Sequence, residues 1–150
     1  MPLPHDVVFF ASPAELRAWF EANHDTASEL WLGYHRKRSG RSSVTWQDVV
    51  DVELCFGWID SVRYSLGDDK SAQRITPRRK GSVWSDVNIR RYRELEHIGL
   101  VHPRGRAAFE KRDETRRRRL AKLIESSRNG ERLAPFVSPS RRRAPSRGRR

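Results

Sequence analysis

Apolar residues fall along this chain in short blocks, and the spacing within each block assigns it an element. Val7-Val8-Phe9-Phe10 is a continuous apolar run that predicts a short buried strand. Ser12-Pro13-Ala14-Glu15 follows as a cap, an N1 proline and an acid able to reach back to the cap. Leu16, Trp19 and Phe20 then recur at helical spacing, and the helix should end near Asn23-His24. Leu30 to Tyr34 predicts a second strand, running into an exposed basic loop, Arg36-Lys37-Arg38-Ser39-Gly40-Arg41. Thr45-Trp46-Gln47-Asp48 opens a second helix by the same capping logic, with Asp in place of the usual Glu. Val49, Val50, Val52, Leu54 and Phe56 make that helix apolar over much of its surface, hence central, and Gly57 can terminate it in the left-handed conformation.

Trp58 to Leu66 shows partial alternation, with Trp58, Asp60, Val62 and Tyr64 on one face against Ile59, Ser61, Arg63 and Ser65. Gly67-Asp68-Asp69 is turn chemistry, and Ala72 to Thr76 is the returning strand of a hairpin, ended by Pro77. Ser85 can cap a helix holding Val87, Ile89, Tyr92, Leu95 and Ile98, closed by Gly99. A last helix should begin near Pro103. Its apolar residues lie at its two ends, Ala107-Ala108-Phe109 and Leu120, Leu123, Ile124. Lys111 to Arg119 between them has no apolar residue, so a helix can run through only in water or against a polyanion. The expected fold is α+β, a small antiparallel sheet packed by three or four helices. It divides into a domain over 1–112, a basic helix over 113–128 and a disordered tail over 129–150.

Charge sharpens that division. The chain has 150 residues and a formal net charge of +12. Residues 1–100 hold 14 Lys and Arg against 14 Asp and Glu, whereas residues 101–150 hold 17 against 5. The domain is neutral and the C-terminal appendage carries the excess. Cys55 is the sole cysteine, which excludes an intrachain disulfide and suits a reducing cytoplasm. Its apolar neighbours mark it as a small buried hydrophobe. No apolar run approaches the roughly 20 residues of a membrane span, so the expected location is cytoplasmic.

The densest concentration of chemistry lies between Cys55 and Asn88. Trp58 and Trp84 bracket Arg74, Arg78, Arg79 and Lys80, with Pro77 and Gly81 punctuating the run and Asp60 and Asn88 close outside it. The arginines can bind phosphate or carboxylate through planar forks of donors, and the indoles can stack a ring. Ser85 and the amides behind it would lie at a helix N-terminus, where anions are favoured. The structural alternative pairs the arginines with Asp60, Asp68, Asp69 or Asp86 and places the tryptophans in the core. Asp60 as a general base lacks a second acid, metal ligand or nucleophile in its pattern. The five histidines show no metal-ligand spacing, and no cofactor motif occurs. Arg116, Arg117, Arg118 and Arg119, with Arg141, Arg142 and Arg143, form a polycation able to bind nucleic acid without sequence preference.

The string Phe56-Gly57-Trp58-Ile59-Asp60, followed by Arg74-Ile75-Thr76-Pro77-Arg78-Arg79-Lys80-Gly81-Ser82-Val83-Trp84-Ser85 and Asn88-Ile89, resembles the YdeI/OmpD-associated family of bacterial proteins, also labelled bacteriocin-protection proteins. The resemblance covers roughly residues 7–112, and Glu114 to Glu125 is similar to that family's terminal helix. It implies a deletion after Arg112, where an aromatic- and Ala-rich helical stretch usually stands. It also implies a small α+β bacterial domain of unestablished biochemical role, and the function expected here is that of a non-enzymatic accessory or stress-protection protein. Combined with the residues, the expectation is a small anionic ligand at the Trp/Arg loop. Nucleic-acid binding through residues 112–150 is the alternative, and catalysis by Asp60 the third reading.

Overall fold

Helix-capping chemistry sets the element boundaries in the computed structural model, which describes residues 1–130. Strand β1 (Val8–Phe9) leads to α1 (Pro13–Asn23), where the Ser12 hydroxyl accepts from the Glu15 amide at 3.3 Å. The Glu15 carboxylate reaches back one residue beyond the cap, accepting from the Ala11 amide at 3.0 Å. Strand β2 (Leu30–His35) enters a single 3-10 turn at Lys37–Ser39. Helix α2 (Trp46–Phe56) opens with the expected box: Asp48 Oδ2 accepts from the Thr45 amide at 2.8 Å, and Thr45 Oγ1 from the Asp48 amide at 3.2 Å. Gly57, at φ 71°, ends α2 and turns the chain into β3 (Trp58–Ser65), which pairs with β4 (Lys70–Pro77). Ser85 caps α3 (Asp86–His97), and α4 spans Pro103–Arg128 without interruption, carried through the arginine run with those side chains exposed.

The fold is α+β, with one correction to the sheet. Its order is β1-β2-β4-β3, and β1 runs parallel to β2, so the sheet is mixed rather than purely antiparallel. The reason is α1: a strand that returns through a helix re-enters in the same direction, whereas a tight turn reverses it.

A second correction concerns β3. Asp60 opposes Ile75, yet Arg63 opposes Gln73, so Ser61 and Val62 together face the single residue Arg74. This β-bulge breaks the alternation read from the sequence. Ile75 and Gln73 are two residues apart and share a face of β4, so Asp60 and Arg63 share one too, although they are three apart on β3. Tyr64 moves to the opposite face, where its ring meets Trp31 at 5.9 Å.

The core forms between the sheet and the helices. Leu16 and Phe20 of α1, Val49, Leu54 and Phe56 of α2, Trp58 and Ile75 of the sheet, and Tyr92 and Leu95 of α3 are all sealed from solvent. Each such side chain contributes about 1.5–3 kcal/mol by burial. Cys55 is buried among them, as expected. Val87, placed in the apolar pattern of α3, points outward at 73% exposure. The start of α4 closes on the end of α2: the His102 amide donates to the Cys55 carbonyl at 3.0 Å, and a Cβ on Gly105 would overlap that same carbonyl. Met1–Thr115 forms one compact unit of the chain.

Candidate functional site

The sequence-predicted cluster separates into three groups in space. Trp58 is wholly buried, its ring set edge-on against Trp19 at 6.0 Å and Phe20 at 5.1 Å. Trp84 is 7% exposed and packs edge-on against Tyr92 and Phe109. Arg78 joins the two tryptophans: its guanidinium stacks 4.0 Å from the Trp84 ring centre, and its Nε donates to the Trp58 carbonyl at 3.2 Å. Burial pushes Arg78 down to about 10, against the opposing pull of Glu53 and Asp60. Both indoles are thus committed to the interior, and Arg78 is the internal tie between them.

Arg74 lies on the other face of β4, where its Nε donates to Glu29 at 2.6 Å. That bond holds the Glu29 carboxyl below the usual range. Arg79 and Lys80 are exposed after β4, and Ser85 Oγ accepts from the Asn88 amide at 3.2 Å as the cap of α3. Asn88 is half-buried in the first turn of that helix. Arg116 to Arg119 are exposed along α4, and Arg141, Arg142 and Arg143 lie outside the described residues.

Sequence reasoning gave no role to Glu53, which is 3% exposed. Burial first, then the charge of Asp60, pushes its carboxyl well above the usual range, while Arg78 and the Asp60 amide pull the other way. Its Oε1 has no hydrogen-bond partner among the described residues. The signal was an acid inside the most apolar helix, flanked by Val52 and Leu54.

A cleft of about 690 Å³ opens beside this network. Its walls include Tyr34, Arg36, Lys37, Arg41, Trp46 and Arg63, and no Asp or Glu among the described residues lines it. Each wall residue has a local cause. The 3-10 turn and Gly40, at φ 70°, curl the basic loop so that Arg36, Lys37 and Arg41 face one space. The capping box places Trp46 at the first position of α2, and the bulge turns Arg63 onto this face. Elsewhere in the domain arginines meet carboxylates, as in Arg17 with Glu21, Arg38 with Asp69, Arg91 with Asp51 and Arg104 with Asp25. The four cations of the cleft form no ion pair among the described residues.

A chain of hydrogen bonds runs along the aromatic side of the cleft. The Tyr34 hydroxyl donates to Gln73 Oε1 at 2.8 Å, Gln73 Nε2 donates to Asp60 Oδ2 at 2.7 Å, and the Trp46 indole N–H donates to the same oxygen at 3.1 Å. Arg63 lies 4.3 Å over the Tyr34 ring and donates to Ser71 Oγ through Nε and Nη2. Asp60, proposed from sequence as a ligand contact, is therefore an acceptor that positions Trp46 and Gln73. Chemically, the cleft offers convergent cationic donors beside an exposed, immobilised indole. Its volume falls within the range of about 300–1,000 Å³ typical of small-molecule sites.

Among the described residues no helix is long and apolar enough to cross a membrane. No curated protein and no solved structure matches the chain. A family model described as Domain of unknown function (DUF8412) matches residues 8–108, a span that contains every wall of the cleft and ends before Arg116. The protein that presents this cationic cleft on a mixed four-stranded sheet belongs to the DUF8412 family.

Proposed function

We propose that this is an accessory protein that binds a small anionic ligand, and that the ligand sits in the cleft between β2, β3 and the start of α2. One observation carries the reading: Arg36, Lys37, Arg41 and Arg63 line a single concave space without any carboxylate among its walls. Four like charges held near one another repel, and an anion that bridges them removes that cost while making charge-assisted hydrogen bonds. The expectation of an anion at Trp58 and Arg78 moves to this cleft, because the Trp58 ring is packed against Trp19 and Phe20 and the Arg78 guanidinium is taken up by the Trp84 ring and the Trp58 carbonyl. The resemblance to the YdeI/OmpD-associated family supports a protective or accessory role within the same reading.

The test is thermal stabilisation of the full chain by phosphate, pyrophosphate and tripolyphosphate at fixed ionic strength. A bound anion at a hundredfold its Kd stabilises by about 2.7 kcal/mol. The double variant Arg41→Ala, Arg63→Ala should lose that shift while keeping its own melting temperature near the parent value. Unchanged stabilisation of the double variant by all three anions would remove the cleft from consideration. It would favour the second reading, polyanion binding through the exposed Arg116 to Arg119.

A further inference from the structure

We infer that the anion taken by the cleft carries a planar ring, as a nucleotide does, and that Trp46 is the platform on which the ring stacks; this rests on the cleft reading above. Trp46 is 52% exposed, unlike Trp31, Trp58 and Trp84, which are buried. An indole left in water is ordinarily free to turn. Here the N–H is bonded to Asp60 Oδ2, Asp60 is bonded to Gln73, and Gln73 to Tyr34, so the ring orientation is held from the sheet. The indole edge is satisfied and a ring face remains for a ligand. Of the other aromatic walls, Tyr34 is covered by Arg63, His35 stacks on Phe9 at 4.3 Å and Tyr64 packs against Trp31 at 5.9 Å, which leaves Trp46 to receive a ring.

The cations are arranged to suit such a ligand. Arg36, Lys37 and Arg41 come from the loop preceding α2 and Arg63 from β3, so they approach the same space as Trp46 from two sides. A ring on the indole would leave its phosphates within the cationic part of the cleft. Stacking of a base on an aromatic side chain strengthens binding by roughly tenfold to a hundredfold. A free nucleotide and the end of a single strand present the same chemistry.

The experiment compares, by calorimetry on the full chain at one physiological salt concentration, adenosine triphosphate with inorganic tripolyphosphate. Adenosine triphosphate should bind at least tenfold more tightly. Trp46→Ala should bring the two ligands to equal affinity without weakening tripolyphosphate, and Trp46→Phe should restore most of the difference. Arg41→Ala with Arg63→Ala should weaken both by tenfold or more. A short oligoadenylate, run alongside, assigns the source: tighter binding than the mononucleotide, lost in Trp46→Ala, points to a strand, and weaker binding points to a free nucleotide. Equal affinities in the parent chain, or a preference for adenosine triphosphate that survives Trp46→Ala, overturn the inference but leave the anion cleft standing. Binding of neither anion, or binding indifferent to Arg41 and Arg63, overturns both.

Discussion

Trp46 and Asp60 are joined across 14 residues of sequence by a 3.1 Å hydrogen bond from the indole N–H to a carboxylate oxygen that also accepts from Gln73. The bond couples the first residue of α2 to the third residue of β3, and it orders a ring that is half in water. Asp60→Ala removes the acceptor for both donors. The buried Gln73 amide loses its partner, and the expected cost is about 1–3 kcal/mol in urea unfolding. Trp46→Ala, at an exposed position, should cost less than about 1 kcal/mol, so a larger loss for the tryptophan than for the acid would contradict this order.

Glu53 makes stability fall with rising pH. Its carboxyl titrates well above the usual range in the folded chain because burial and Asp60 disfavour the charged form. A group raised on folding stabilises fully below its unfolded pKa, and that contribution is lost as pH climbs toward the folded value. Glu53→Gln keeps the shape and cannot ionise. Its stability relative to the parent should therefore be lowest near the unfolded carboxylate value, at about pH 4, and grow as pH rises above it. Melting curves over that range would show parallel profiles if the Glu53 carboxyl were ordinary.

Gly105 is a close-approach glycine. An added Cβ would meet the Cys55 carbonyl and Leu54 carbonyl oxygens, both backbone and unable to rotate away. Gly105→Ala should cost about 3 kcal/mol, in spite of the better helix propensity of alanine. A stable Gly105→Ala variant would show that the start of α4 does not rest on α2.

Arg78 and Arg74, neighbours in the basic string, should respond differently. Arg78 is largely buried, stacks on Trp84 and bonds the Trp58 carbonyl, so Arg78→Ala should lose about 2–3 kcal/mol. The Arg74 pair with Glu29 is partly exposed, and Arg74→Ala should lose about 1 kcal/mol or less. Chemical denaturation of the two variants decides it, and neither change should alter anion binding in the cleft.

Helix starts were legible because capping is local. Ser12, Thr45 and Ser85 each find their partner amide three residues on, so the signal and the bond lie within one short window. Glycine ends were legible for the same reason, as at Gly57. The arginine string was legible as unusual, but its meaning was not, since a guanidinium reads identically whether it tiles an indole, meets an acid on the far face of a sheet, or waits in a cleft.

The order of elements, the helix boundaries and the apolar core therefore follow from short-range pattern, in which each residue's preference depends on neighbours within a turn or a strand. The cleft depends on pairings that no local window contains. One inserted residue in β3 rotates Arg63 onto the face of Asp60, and one parallel pairing makes the sheet mixed. Arg36, Lys37, Arg41, Trp46 and Arg63 were each visible as a loop cation, a first-turn residue or a strand position. Only strand register, set by which face must be buried, decided that they line one space.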